Sequence, residues 1–113
     1  MKKTYVLTFS VKNTDIFEAL KNGEKKVETR AATKRYSGVR AGDTLEFKCA
    51  GKVFTRKVLE VQIFKSMSAL LKCYSPETIN PSVSSKEELR KMYYSFPGYR
   101  EKIKKHGLVA FEL

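Results

Sequence analysis

The segment KKVETR, residues 25–30, concentrates side chains that could do chemistry. If it is a strand, Lys26, Glu28 and Arg30 project from one face. The carboxylate is then held ionised between two cations and can orient Arg30 for bidentate contact with a phosphate or a base edge. We therefore expect Glu28 and Arg30 to pair at a cleft, with Arg30 as the main anion contact. The alternative is an ion-pair ladder on an exposed strand, which would contribute little to stability.

The other face of the same strand carries Lys25, Val27 and Thr29. Val27 is expected to enter the core, and a buried Lys25 beside it is costly unless its ammonium group reaches a cleft. Glu28 with Lys25 or Arg30 also supplies a general base and a cationic stabiliser. Metal-independent ribonuclease chemistry needs those two groups, so the segment is also compatible with a small hydrolytic site.

A second candidate region, near residues 93–105, mixes aromatic and basic side chains around Pro97-Gly98. Such a mixture suits stacking on unpaired bases beside phosphate contacts. Helical spacing favours a core position for Tyr93 and Phe96, which leaves Tyr94 and Tyr99 as the predicted stacking residues. The basic residues that follow the aromatic cluster are Arg100, Lys102, Lys104 and Lys105.

A third basic stretch lies between residues 31 and 41 and is expected to be a loop. It carries Lys34, Arg35 and Arg40 around the flexible Ser37-Gly38. The three cations form either a phosphate clamp or merely the solvated surface of a loop.

The overall charge supports a polyanionic partner. Among 113 residues, 23 Lys and Arg against 12 Asp and Glu give a net charge of +11. Such a balance in a small domain favours RNA, DNA, a nucleotide or an acidic surface as partner, although a basic surface with no specific partner is also common. No apolar stretch approaches the roughly 18 residues of a membrane span, and no helix has the amphipathic pattern of a membrane-surface segment.

Metal and redox chemistry have few residues to work with. The chain has a single histidine, His106, and two cysteines, Cys49 and Cys73, without a CxxC pair. An ordinary zinc site lacks ligands, so no metal or cofactor is expected. The N-terminus lacks a signal-peptide core, which predicts a cytoplasmic protein with reduced thiols. His106 is expected to end a basic helix rather than to act in catalysis.

Hydrophobic periodicity predicts short elements in an order without βαβ alternation. Asp15 and Glu18 suggest a capped first helix that ends at Gly23, and Ser66 and Ser85 suggest two further helix starts. The predicted strands are 3–10, 25–30, 44–49, 53–64 with a bulge near residue 57, and 108–113; the predicted helices are 15–22, 66–74, 85–95 and 99–106, with loops at 31–41 and 75–84. This order favours one α+β domain spanning 1–113, a small, mostly antiparallel sheet of about five to six strands curled into a barrel and flanked by short helices.

Three short motifs in this order resemble the ASCH domain, a relative of the PUA domain. They are Gly23–Arg30 after a helix, Ala41–Phe47 with its Gly-Asp turn, and the terminal Gly107–Ala110 strand. With the long strand and helices between them, the likeness spans nearly the whole chain. It implies a PUA-like β-barrel, a cleft beside the first helix and an RNA- or nucleotide-related role.

Some small ASCH proteins are amidohydrolases acting on acylated cytidine, and their pattern can be compared residue by residue. Their catalytic lysine falls on Lys25, their threonine nucleophile on Glu28, and their catalytic glutamate on Ser82, with Glu77 nearby as a further carboxylate. A carboxylate thus replaces the nucleophile and a hydroxyl replaces the acid or base. These departures put the amidohydrolase mechanism in doubt and leave a rearranged site of Lys25, Glu28 and Ser82 as the catalytic hypothesis.

Three functional hypotheses follow. The first is a monomeric module that binds RNA or a nucleotide in a basic cleft floored by Lys25, Glu28 and Arg30, with Lys26 beside them and Tyr99 and the 34–40 loop at the rim. The second is a small hydrolase, either an acylcytidine amidohydrolase or a metal-independent ribonuclease. The third is an interaction module for a partner in RNA processing or translation.

Overall fold

This computed structural model describes residues 2–113, in which two strand–helix pairs are followed by three strands, four helices and a final strand. Within that range there are six strands, six α-helices and one 3₁₀ turn at Val11–Asn13. In chain order the elements are β1 Thr4–Phe9, α1 Thr14–Asn22, β2 Val27–Ala31, α2 Lys34–Ser37, β3 Thr44–Cys49, β4 Lys52–Lys57, β5 Glu60–Phe64, α3 Met67–Cys73, α4 Pro76–Ile79, α5 Lys86–Ser95, α6 Tyr99–His106 and β6 Leu108–Glu112.

The strands form two three-stranded sheets. The first has the order β1-β3-β4, in which β1 runs parallel to β3 and β3 antiparallel to β4. The second has the order β2-β6-β5 and is wholly antiparallel, with β6 in the centre. The predicted α+β class, with mostly antiparallel strands and short helices, is confirmed.

The central strand of the second sheet, β6, is buried on both faces over residues 108–111. Val109 and Phe111 of β6 pack into a cluster with β1, β3 and α1, while Leu108 and Ala110 pack into a second cluster with the helices α3 to α6. Residues directly opposite each other in a sheet share a face. Glu28 lies opposite Phe111 and therefore faces the first cluster. The polar residues of β2 are thus placed inside the protein.

Local signals predicted several boundaries correctly. Gly23 ends α1 with a φ of +87°, a conformation that glycine adopts without strain. The hydroxyls of Ser66 and Ser85 accept hydrogen bonds from the backbone N–H groups of Ala69 and Glu88, as expected for helix caps. The cap predicted at Asp15 is wrong, because α1 begins one residue earlier, after Asn13, and no side chain caps it.

The predicted long strand over 53–64 is wrong. The chain leaves the first sheet after Lys57 and enters the second at Glu60. The backbone N–H of Val58 donates to the Asp43 carbonyl and that of Leu59 donates to the Glu112 carbonyl, so the two residues bridge the sheets. The change of inward face along this segment therefore reflects a change of sheet and not a bulge.

Two segments expected to be loops contain short helices, α2 and α4. Strand β2 also begins later than expected, at Val27 rather than at Lys25. No helix within residues 2–113 is long and apolar enough to cross a bilayer.

Candidate functional site

A cavity of about 220 Å³ opens beside α1, where the second sheet meets α4, α5 and α6. Aromatic rings form much of its wall. The rings of Tyr93 and Tyr99 are stacked with centroids 5.9 Å apart, and Phe96 packs edge-on against both. The other lining residues lie on or next to β1, α1, β2 and α4, with one more on α5: Thr8, Phe9, Ser10, Asn13, Ile16, Lys25, Glu28, Thr29, Arg30, Ile79, Asn80 and Met92. The cavity is therefore assembled from segments spread over most of the chain.

Lys25 lies at the base of this cavity and is only 4% exposed. Its ammonium group donates to the carbonyl of Val27 at 2.6 Å and to the carbonyl of Ile79, and it lies 3.5 Å from Glu28 Oε1. An ammonium group has three protons, and these three acceptors use all of them. Burial lowers the pKa of Lys25, while the Glu28 carboxylate opposes that shift.

Lys25 was expected on the strand face opposite Glu28, and this is wrong. Because β2 begins at Val27, the alternation of a strand does not apply to residue 25. The backbone N–H of Lys25 instead bonds to the carbonyl of Ala19 on α1, and the lysine side chain turns towards Glu28. Lys26 is exposed and does not line the cavity.

Glu28 is 5% exposed and is surrounded by donors. Its Oε1 accepts the backbone N–H of Thr29 at 3.1 Å, besides facing Lys25. Its Oε2 accepts from Nε and Nη2 of Arg30 at 3.3 and 3.2 Å. Such partners offset the cost of burying a carboxylate, and here they fix its orientation as well.

Arg30 is held on three sides. Besides Glu28, its guanidinium carbon lies 5.0 Å from the centroid of the Phe9 ring and 5.8 Å from that of Tyr36. Burial disfavours its charge, but Glu28, Tyr36 and Tyr99 outweigh burial and raise the pKa of Arg30. Nη1 makes no hydrogen bond with the residues described, and one fifth of the side chain remains exposed. Arg30 therefore offers a free donor edge to a ligand.

Two hydroxyl groups add to this polar floor. The hydroxyl of Tyr99 accepts the backbone N–H of Ala31 at 2.9 Å, which leaves its own proton free to donate. The buried Thr29 hydroxyl has no hydrogen-bond partner among residues 2–113. Tyr99 was expected to be an exposed stacking residue; it is a half-buried part of the cavity wall instead.

Ser82 does not line the cavity with Lys25 and Glu28, so the structure does not bring the proposed catalytic group of three together there. Ser82 is exposed, and its hydroxyl and backbone N–H both donate to Oδ1 of Asn80, at 2.7 and 3.0 Å. Asn80, 4% exposed, is the residue of this segment that reaches the cavity. Sequence reasoning missed Asn80, although an asparagine two residues before a serine is a common turn signal. Glu77 is also exposed, away from the cavity lining.

The cations of the 34–40 segment do not line the cavity. Lys34, Arg35 and Arg40 are all exposed. Arg35 donates to the carbonyl of Val6 at 3.2 Å and lies over the Tyr36 ring, the same ring that contacts Arg30. The segment thus touches the site only through Tyr36, which sequence reasoning also missed.

The remaining predicted residue, Tyr94, is 39% exposed, and the guanidinium group of Arg100 lies over its ring. Within residues 2–113, no cluster of three His, Cys, Asp or Glu side chains could hold a metal ion.

The whole fold is similar to two solved structures. A crystal structure of the hypothetical protein PH0355 superposes with a TM-score of 0.81 at 31% sequence identity, covering 99% of this chain and 96% of that one. The solution structure of protein PF0455 from Pyrococcus furiosus has a TM-score of 0.75 and 28% identity, covering 96% of this chain and 94% of that one. No protein-family model matches the sequence. No curated protein matches it either.

Proposed function

We propose that this chain, which belongs to the same family as the hypothetical protein PH0355, is an ASCH-type, PUA-like domain that binds RNA or a nucleotide in the cavity beside α1. Arg30 is the central contact. Glu28 orients the guanidinium group of Arg30, and Lys25 in turn holds Glu28. The rings of Tyr93, Phe96 and Tyr99 enclose the ligand.

The placement of the three motifs supports the ASCH-type architecture. The first motif ends in β2 and the last forms β6, and these strands pair with Thr29 opposite Ala110. The middle motif forms a turn in which the Asp43 carboxylate accepts the backbone N–H groups of Lys3 and Arg40. The cleft lies beside the first helix, whose Ile16 lines it.

The observation that carries the proposed function is the free edge of Arg30 inside an aromatic cavity. Arg30, Tyr99 and Thr29 all have unused donors there, whereas the oxygens of Glu28 are occupied. A ligand must therefore bring acceptors, such as phosphate oxygens or the carbonyl and ring nitrogens of a base. At about 220 Å³ the cavity is smaller than the roughly 300–1,000 Å³ of drug-sized pockets, so it suits one nucleotide unit.

The first test is direct binding. Short fluorescent RNAs should bind at low salt, and fluorescence anisotropy should show the affinity falling as salt rises, because phosphate contacts release counterions. Absence of binding at low salt, or affinity that does not depend on salt, contradicts the proposal.

Glu28→Gln provides the sharper test because two explanations predict opposite signs. If Glu28 orients Arg30, its loss weakens binding by about tenfold, or ~1.4 kcal/mol, near the low end for a hydrogen bond to a charged group. If only the basic surface matters, the extra unit of positive charge tightens binding.

Glu46→Gln is the matched control for this charge change. Glu46 forms a partly exposed ion pair with Lys48 on the first sheet, outside the cavity lining. Glu46→Gln should leave the affinity for RNA unchanged or slightly increased. Tighter binding by Glu28→Gln, with the fold unchanged by circular dichroism, would leave only a basic surface.

A second candidate function is a small hydrolase acting on a modified nucleoside or on RNA. It is favoured by the burial that lowers the pKa of Lys25 next to a buried carboxylate, an arrangement found at many catalytic sites. Chromatography of acylated cytidines and single-stranded RNA incubated with the protein tests it. Activity that Lys25→Met and Glu28→Gln both abolish supports this function, and turnover that survives both substitutions places any activity elsewhere.

A further inference from the structure

An exposed aromatic ring and an arginine are stacked just outside the cavity, at the corner between α5 and α6. Tyr94 is 39% exposed, and the guanidinium carbon of the exposed Arg100 lies 5.0 Å from the centroid of its ring. Such a pair offers flat surfaces on which an unpaired base can stack. Neither residue lines the cavity.

This stacked pair, Tyr94 with Arg100, is adjacent to the cavity wall. Each member directly follows a residue that lines the cavity, namely Tyr93 on α5 and Tyr99 on α6. Successive residues of a helix point about 100° apart, so Tyr93 can face inward while Tyr94 faces solvent. A chain of nucleotides leaving the cavity across this corner would meet the stacked pair next.

The helix that carries Arg100 is strongly basic. In α6 the cations Arg100, Lys102, Lys104 and Lys105 accompany one carboxylate, Glu101. Arg100 and Lys104 are four residues apart and lie on one side of the helix. Cations on the same side as an exposed ring can contact the phosphates that flank a stacked base.

From this arrangement we infer that the Tyr94–Arg100 corner binds a nucleotide next to the one in the cavity, so the ligand is single-stranded RNA and not a free mononucleotide. The inference rests on the proposed function of the cavity. A duplex would not serve, because its bases are already stacked on each other and its base faces are covered.

The test compares ligand lengths by isothermal titration calorimetry. The probes are the four ribonucleoside 5′-monophosphates, a single-stranded hexaribonucleotide of mixed sequence, and a fully paired RNA duplex with blunt ends. The wild-type protein should bind the hexamer at least about tenfold more tightly than any monophosphate. A tenfold gain corresponds to the low end of the binding free energy contributed by one base stacked on one aromatic side chain. The duplex should show no such gain.

Two substitutions locate the gain. Tyr94→Ala and Arg100→Gln should each remove most of the preference for the hexamer while leaving monophosphate affinity within about twofold. Lys57→Gln, which removes an exposed cation from β4 in the other sheet, is the matched charge control and should lower hexamer affinity only slightly.

The outcomes separate the two proposals. Equal affinity for hexamer and monophosphate, an equal gain with the duplex, or losses in Tyr94→Ala and Arg100→Gln no larger than in Lys57→Gln would each overturn the inference while leaving the cavity as a nucleotide site. If neither ligand binds, or if Arg30→Gln leaves hexamer binding intact, the proposed function of the cavity fails, and the inference fails with it.

Discussion

Replacing Lys25 with methionine should strongly destabilise the protein, although it introduces a good hydrophobic residue of similar length. The ammonium group is buried and ties three acceptors together, the carbonyls of Val27 and Ile79 and the carboxylate of Glu28. Methionine fills the space but donates no hydrogen bond.

The size of the effect can be worked out from these contacts. Removing one partner of a buried ion pair typically costs about 3–5 kcal/mol, since the other charge stays buried. Here Glu28 keeps Arg30 and the Thr29 N–H, which reduces that cost. The two carbonyls lose their donor, at about 1–3 kcal/mol each if water cannot replace it, and the adjoining cavity admits some water. We expect a net loss of ~3 kcal/mol in the free energy of unfolding, or roughly 10 °C in melting temperature for a domain of this size.

Urea denaturation followed by circular dichroism measures the effect, with Lys52→Met as the matched control. Lys52 pairs with Glu18 on the surface, where the two side chains are 61% and 42% exposed, so its loss should change stability by less than about 0.5 kcal/mol. In the double variant, Lys25→Met with Glu28→Gln, the loss should be smaller than the sum of the two single losses, because either change alone already breaks the Lys25–Glu28 pair.

The reasoning is refuted if Lys25→Met is no less stable than Lys52→Met. That result would mean that the ammonium contacts contribute nothing net to the stability of the protein. Losses that simply add in the double variant would show that the cost of Lys25→Met comes from the carbonyls of Val27 and Ile79 and not from the ion pair.

Two further predictions concern the motifs outside the cavity. Gly107→Ala should lower the free energy of unfolding by ~3 kcal/mol, because φ is +78° and a Cβ would lie 2.3 Å from the Phe64 carbonyl oxygen. Gly23→Ala is the control, since φ is +87° but the space around the Cβ is open, and it should lower that free energy by only ~1 kcal/mol. Equal losses of stability in thermal unfolding would contradict the clash at Gly107. The backbone N–H groups of Lys3 and Arg40 hold the pKa of Asp43 below its usual 3.8. The stability that this carboxylate contributes to the folded protein is therefore fully present above pH 3.8, and it is lost as pH falls through the pKa of the folded state. The stability gap between wild type and Asp43→Asn should therefore shrink below pH 3.8, and a gap independent of pH would contradict this.

Features fixed by neighbouring residues could be predicted from the sequence. Gly23 ends a helix and Ser66 and Ser85 begin two others because each signal acts within three or four residues. The pairing of Glu28 with Arg30 follows in the same way, since side chains two apart on a strand share a face.

Features fixed by distant residues could not be predicted. Lys25 is held by the carbonyl of Ile79, 54 residues away, and no local pattern announces that contact. Whether Asn80 or Ser82 reaches the cavity depends on a turn of α4, which composition assigned to a loop. The chain passes from the first sheet to the second at Val58 and Leu59, whose backbone N–H groups donate to the carbonyls of Asp43 and Glu112. Hydrophobic periodicity does not report such distant contacts, so it predicted a bulge at this point.

The central position of β6 affects the order in which the protein can fold during synthesis. A nascent chain that contains the first 107 residues already has β2 and β5, the outer strands of the second sheet, but not the strand that hydrogen-bonds to both. Until residues 108–112 leave the ribosome, the backbone of β2 lacks its partner, and the strand that carries Glu28 and Arg30 has no fixed position. The cavity is therefore completed only when β6 joins the sheet, and the unpaired strand edges are open to aggregation until then.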